Sequence, residues 1–420
     1  MKPCVFLHVC YNVTNRGRRR KKVMTMYKVK TLNNISESCK DVLKAEDYIV
    51  GDDVSRPDAI FVRASDMHGY PFNKELKCIG RAGIGVNTIP LEECSEKGIV
   101  VFNTPGGNAN GVKELFLFAM SMAGRDIFNA LKWVYTYDDS EGPIEKRMEK
   151  IKKQFAGPEF AGKTLGVIGT GNVGSAVANI ALSLGMKVYG YDPYLSVDAA
   201  WRISRHVFRV DSLDDLLKYS DFITLHVPLK ADTRHLIDKA AIAKMKNGVR
   251  IINYARDAVV DEDAIIEGIK SGKIAKFVSD FPTRKLIETE NVILTPHLGG
   301  TTYESEANCA RMAAVEIDDY LRYGNIKNSV NMPTVVLERS GKARICLIHK
   351  NLPGVLAAIT AVLSEDGINI ENMTNKSLGD YAYSLFDVNS EVDEHNIREL
   401  NEVRGMVRVR IIKWDEKGAK

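Results

Sequence analysis

Residues 164–192, TLGVIGTGNVGSAVANIALSLGMKVYGYD, decide the fold. Leu165 to Ile168 form a short apolar run, the pattern of a strand buried on both faces. Gly169, Gly171 and Gly174 follow as G-x-G-x-x-G. Val177, Ile180, Ala181 and Leu184 then recur at helical spacing, and Gly185 stops the helix. Lys187 to Tyr191 reads as a second strand, with Asp192 at its end. In that order each glycine has a task. Gly169 permits the tight strand-to-helix turn, Gly171 lets the backbone approach a pyrophosphate, and Gly174 lets helix and strand pack closely. Asp192 can accept hydrogen bonds from both ribose hydroxyls and would repel a 2′-phosphate, so the stretch predicts NAD rather than NADP.

The chain around it has 420 residues, enough for two to three domains. Its composition, 45% apolar and 27% charged, is that of an ordinary globular protein. A net charge of +4 is too small to argue for nucleic acid. The seven cysteines are scattered, with no C-x-x-C and no Cys/His ligand spacing. That argues against a zinc site or a disulfide framework and suits a reducing cytoplasm. No apolar run is long enough for a membrane span. The charge run Asn15–Lys22 could be an RNA-binding or targeting arm; we read residues 1–25 as a solvated, disordered extension.

Strand patterns at Tyr27–Leu32, Asp58–Arg63, Cys78–Ala82 and Gly98–Asn103 predict a small α/β domain with a mostly parallel sheet. Asn108–Tyr135 reads as one long helix, and 137–162 as a polar connection. Further strands are expected at 221–228, 249–254, 277–280 and 292–296, with helices at 261–271 and 301–323. Asn325–Ser340 looks like a linker. From Ala343 the order becomes β-α-β-β-α-β, the ferredoxin-like order. The fold class is therefore α/β: two doubly wound parallel-sheet domains and a small third domain.

Ligands of doubly wound sheets sit outside the carboxyl ends of the strands. Arg256, Asp280 and His297 fall there. Arg256 offers a fork for a carboxylate, and His297 can shuttle a proton near neutral pH. Taken singly, His297 also suits a loop histidine and Arg256 a surface ion-pair member. In the first domain, Gly83-Ile84-Gly85 can form a backbone nest for an anion, with Arg63 and Arg81 ending neighbouring strands. Two arginines and a nest suggest a doubly anionic small molecule; a tight turn between exposed arginines is the plainer alternative.

These motifs together resemble the D-2-hydroxyacid dehydrogenase family from Met26 to about Leu337. The matching stretches are Gly80–Asn87, Asn103-Thr104-Pro105, Gly169–Gly174, Asp192-Pro193, His226-Val227-Pro228, Asn253–Arg256, Val259–Glu262 and Thr295–Gly300. The resemblance implies a substrate domain (26–106 with 299–330), an NAD-binding domain (107–298), a linker (331–342) and a C-terminal ACT domain (343–415). It implies His297 as proton carrier and Arg256 as substrate arginine. Gly169, Gly171, Asn172, Val173, Gly174, Asp192, His226, Val227, Pro228, Tyr254, Ala255, Arg256, Asp280, His297, Gly299 and Gly300 match cofactor-contacting positions. Arg63, Arg81, Gly83, Ile84 and Arg256 match the site for substrate carboxylate and phosphate, with D-3-phosphoglycerate the expected substrate. His349, Asn351 and Asn369 match positions that hold L-serine between paired ACT domains, so a homodimer or homotetramer is expected. No metal, nucleic-acid or membrane partner is implied.

One departure matters. The family carries a glutamate, in D-V-F-x-x-E-P, that pairs with the histidine. Here the run is Asp280-Phe281-Pro282-Thr283-Arg284-Lys285, with a base where the acid would stand. Glu288 or Asp280 could supply the carboxylate, or His297 could work unpaired.

Overall fold

The computed structural model describes residues 26–413, so the extension 1–25 and the end of the last domain lie outside the described residues. The first sheet joins β1 (Tyr27–Leu32), β2 (Tyr48–Gly51), β3 (Ala59–Val62), β4 (Cys78–Arg81) and β5 (Val100–Phe102), in the order β2-β1-β3-β4-β5, all parallel. The second joins β6 (Thr164–Ile168), β7 (Lys187–Tyr191), β8 (Phe208–Arg209), β9 (Phe222–Leu225), β10 (Val249–Asn253), β11 (Ile274–Ser279) and β12 (Val292–Leu294). Its order is β12-β11-β10-β9-β6-β7-β8, also parallel throughout, so the order reverses beside β6. β6 is buried along its whole length, as its apolar run requires.

The expected 108–135 helix is two helices, Ala109–Gly124 and Ile127–Tyr135, broken at Arg125, which is extended. The cause is a close crossing. Gly157 packs so tightly on Gly124 that a side-chain carbon there would collide with the Gly124 carbonyl, and the Asp126 N–H turns to Phe155 O at 3.2 Å. The connection 137–162 also holds a helix, Ile144–Ile151.

The third sheet, β14-β15-β13-β16, is antiparallel: β13 (Ala343–Lys350), β14 (Ile370–Leu378), β15 (Tyr381–Val388) and β16 (Met406–Lys413). Helices Val355–Glu365 and Glu394–Glu402 cover one face over a core of Ile345, Leu347, Ile359, Leu363 and Phe386. The other face packs on the substrate domain. Cys346, Ile348, Tyr383 and Leu385 share one core with Ala313, Ile317 and Tyr320 of the long helix Tyr303–Tyr323. Arg410 donates to Tyr320 O at 2.8 Å, and the Tyr383 hydroxyl donates to Gly324 O at 2.6 Å. Arg344, fully buried, is held by Asp387 at 2.6 Å and donates to Tyr323 O.

The expected linker is not loose. Asn331 is buried, accepting from Val101 N and donating to Ile99 O, while Met332 and Val335 lie in the core. Its backbone groups are satisfied at the edge of β5, which short polar composition alone does not reveal. Among the described residues no helix is long and apolar enough to cross a membrane.

Candidate active site

The cleft lies where the carboxyl ends of the two parallel sheets face each other. On the β6 side, Gly169 has φ +84 and sits against His226 O and Val227, leaving no room for a side chain. A carbon on Gly174 would collide with Gly169 O, whereas one on Gly171 would meet nothing within 4 Å. The helix Asn172–Ser183 starts there without a side-chain cap. Its free N–H groups and positive end therefore face open space over Gly171, which fits a pyrophosphate. Asp192 accepts from Thr170 N at 2.9 Å and Tyr194 N at 3.0 Å, which fixes the carboxylate beside the loop. Beyond it a cavity of about 350 Å³ is lined by Thr170, Asp192, Pro193, Leu195, Val197 and Val207, suited to a nucleoside. Asn172 is not free: it donates to Pro105 O at 2.9 Å, tying the loop to the first domain crossing, and Arg202 donates to its amide oxygen. Val173 packs into the core beneath. At the end of β9, His226 bonds Thr224 Oγ1 at 2.9 Å, and burial pushes its imidazole down to about 3, so the ring is neutral at working pH. Val227 is half-buried and Pro228 exposed.

The opposite wall carries the anion-binding groups. Gly83 has φ +154, and the turn is braced by Thr104 N donating to Gly83 O at 3.1 Å and Asn103 Nδ2 donating to Ile84 O at 2.7 Å. The Arg81 guanidinium folds over Gly83, and Arg256, from the other domain, reaches to within 3.6 Å of where a Gly85 side chain would begin. Arg81 is depressed by burial, and by the charges of Arg256 and Arg63, and its Nε is buried without a partner. Two guanidiniums, Arg81 and Arg256, thus crowd one glycine turn, and the charge of Arg63 lies close enough to act on Arg81, an arrangement that a multiply charged anion relieves. Arg63 is partly neutralised by Glu306 at 2.5 Å, a pairing the sequence did not suggest.

His297 follows β12 in a left-handed conformation, φ +58, with its N–H donated to Asp280 O at 3.0 Å. Asp280 is 3% exposed, and its carboxylate accepts from Thr295 Oγ1 at 2.5 Å, Leu298 N at 2.8 Å and Gly299 N at 2.7 Å. It is the clamp of the histidine loop, and among the described residues its carboxylate makes no hydrogen bond to the imidazole. Gly299 packs on that carboxylate, and Gly300 packs on Asn108. Glu288 is likewise not the missing partner: it ends a short exposed helix and accepts from Arg284 Nε at 2.6 Å. The local i,i+4 pairing wins because both side chains share one helix face. Among the described residues the His297 ring has no hydrogen-bond or ion-pair partner; it meets the Phe281 ring edge to face. Tyr254 and Ala255 are buried, the Tyr254 phenol pushed up first by burial and then by Asp280.

The effector positions lie on the ACT domain. His349 is 3% exposed, with one ring nitrogen against Lys350 O and the other against Ser384 Oγ, both at 2.9 Å. Asn351 and Asn369 are exposed. The nearby cavity is lined instead by Leu352–Val355, Ala358, Val403 and Arg404.

Fold and cleft are those of a two-domain dinucleotide-binding oxidoreductase. The D-isomer specific 2-hydroxyacid dehydrogenase NAD-binding domain matches residues 127–299, and an AHAS small subunit-like ACT domain matches 345–408. A D-3-phosphoglycerate dehydrogenase of Methanocaldococcus jannaschii is 40% identical over 67% of this chain, which spans 52% of that protein. A hydroxypyruvate reductase of Thermotoga maritima is 45% identical over 56% of this chain and 74% of its own. NAD-bound 3-phosphoglycerate dehydrogenase of Entamoeba histolytica superposes with TM-score 0.57 at 27% identity, over 73% of this chain and 99% of that one. The chain belongs to the D-isomer specific 2-hydroxyacid dehydrogenase family.

Proposed function

We propose that the protein oxidises D-3-phosphoglycerate at C2 to 3-phosphohydroxypyruvate with NAD, and that L-serine acting at the ACT domain inhibits it. The observation that carries the substrate is the crowding of Arg81 and Arg256 on the Gly83–Gly85 turn, with the charge of Arg63 close enough to act on Arg81. One such arginine suffices for a simple hydroxy acid, whereas three suit a carboxylate plus a phosphate. NAD, held by the Gly169–Gly174 loop and Asp192, supplies the hydride acceptor. Arg256 holds the carboxylate and polarises the C2 oxygen, and an imidazole nitrogen of His297 takes the hydroxyl proton. The ACT sheet, packed on the helix Tyr303–Tyr323 that also carries Glu306, supports a route from effector to substrate site. The helix Ile127–Tyr135 buries none of its residues and exposes Phe128, Leu131 and Val134, which supports a homo-oligomer.

A second reading, reduction of unphosphorylated hydroxypyruvate, is favoured by the Thermotoga relative and by the pairing of Arg63 with Glu306. NADH consumption separates the two. We expect 3-phosphohydroxypyruvate to exceed hydroxypyruvate at least about tenfold in kcat/KM, and L-serine to suppress it. Equal turnover of both keto acids favours the second reading.

A further inference from the structure

We propose that Phe281 is a positioning residue for His297, fixing by ring packing the imidazole that no carboxylate holds among the described residues. This rests on the reading of His297 as the proton carrier. The two ring centroids lie 5.1 Å apart with planes at 68°, a T-shaped pair. Three acids of the surrounding segments are engaged elsewhere. Asp280 is taken by Thr295, Leu298 and Gly299. Glu288 is taken by Arg284, and Glu262 accepts from Thr283 Oγ1 at 2.5 Å.

The backbone of His297 is fixed by Asp280, but backbone bonds leave χ1 and χ2 of the imidazole free to turn. A proton carrier needs its nitrogen within hydrogen-bond reach of the reacting oxygen, so ring orientation must come from something. Phe281 is the neighbour that supplies it. Its own placement is set by the loop: its N–H donates to Ser279 Oγ at 3.2 Å, and Pro282 follows. With Val260, Phe277 and Leu286 it lines a cavity of about 170 Å³. A smaller side chain at 281 enlarges that space and releases the imidazole, while the loop clamp stays intact. Asp280 and Phe281, adjacent at the end of β11, thus divide the work: one holds the backbone of His297 and the other its ring.

The test uses the full chain with NADH and whichever of 3-phosphohydroxypyruvate and hydroxypyruvate it reduces. Phe281→Leu is expected to lower kcat by about tenfold, the scale of lost orientation. KM and the NADH dissociation constant, read by fluorescence, should stay within about twofold. Phe281→Tyr, which keeps the ring, should rescue most of the loss. An unchanged kcat in Phe281→Leu, or an equal loss in Phe281→Tyr, overturns the proposal. His297→Asn separates the two readings. If it remains active, His297 is not the proton carrier and both fall. If it is dead while Phe281→Leu is fully active, only the Phe281 proposal falls. A measurement without substrate completes the set. The His297 Cε1–H proton resonance should be displaced by the neighbouring ring current and return to its ordinary position in Phe281→Leu. No movement overturns the proposal.

Discussion

Two loops at the carboxyl end of the same sheet do opposite things with their polar groups. The Gly169–Gly174 loop spends the N–H groups of Gly169 and Thr170 on β7 and Asp192 but leaves its helix start free: Gly171 faces open space and the helix behind it starts uncapped. The Asp280–Gly300 loop spends its donors internally, with the Asp280 carboxylate taking two backbone N–H groups and a hydroxyl. A loop that binds an anion through its backbone must leave that backbone free, and small residues with a helix dipole suffice. A loop that aims one side chain must be rigid, so its polar groups are used on itself.

The comparison breaks most visibly at the glycines. Gly174→Ala drives a carbon into Gly169 O between two packed elements, so we expect a loss of several kcal/mol, about 3 or more, in unfolding free energy. Gly171→Ala meets nothing, so its melting temperature should stay close to that of the parent, while NADH affinity falls about tenfold or more as the new methyl enters the pyrophosphate position. If both variants lose stability equally, the first loop is not an open cradle. The clamp gives the next effect. In Asp280→Asn one acceptor is replaced by an amide that faces N–H donors, costing about 1–3 kcal/mol locally. We expect kcat to fall about a hundredfold as the loop flanking His297 loses its clamp on Thr295, Leu298 and Gly299, with NADH binding changed much less. Loss of NADH binding in proportion to kcat would mean that Asp280 serves the cofactor after all.

The same contrast explains what was legible in the sequence. The Gly169 loop and Asp192 are one local unit, strand, turn, helix and strand, and periodicity with three glycines defines it without reference to distant residues. The ferredoxin-like order of the last domain was legible for the same reason. The arginine cluster was read as Arg63 and Arg81 on one domain and Arg256 on another, but nothing local announces that Arg256 reaches the Gly85 turn or that Glu306 answers Arg63. Nor does it reveal Glu316, buried on the long helix with Asn328 as partner and pushed by burial to about 8. The break at Arg125 depends on Gly157 approaching from outside the helix, and the order of the 331–335 segment depends on the unpaired edge of β5. The effector residues rest on resemblance alone, and no local pattern announces that both ring nitrogens of His349 meet groups of its own domain.

The smallest effect we expect is the most informative about the histidine. If the missing acid were simply a deletion waiting to be filled, Arg284→Glu would restore it. The structure argues otherwise. Arg284 begins the short helix Arg284–Ile287, its side chain is 83% exposed, and it points along that helix to Glu288. An acid placed there lies beside Glu288 in water, where one exposed charge change is worth about 0.5 kcal/mol or less. The imidazole would still face Phe281. We therefore expect Arg284→Glu to leave kcat within about twofold and the pH profile of keto-acid reduction where it was. A shift of that profile to higher pH would mean that the new carboxylate reaches His297 and stabilises its protonated form, so that the loop is far less rigid than its clamp implies. That outcome would erase the contrast between the two loops, because the second would then be as free to adapt as the first.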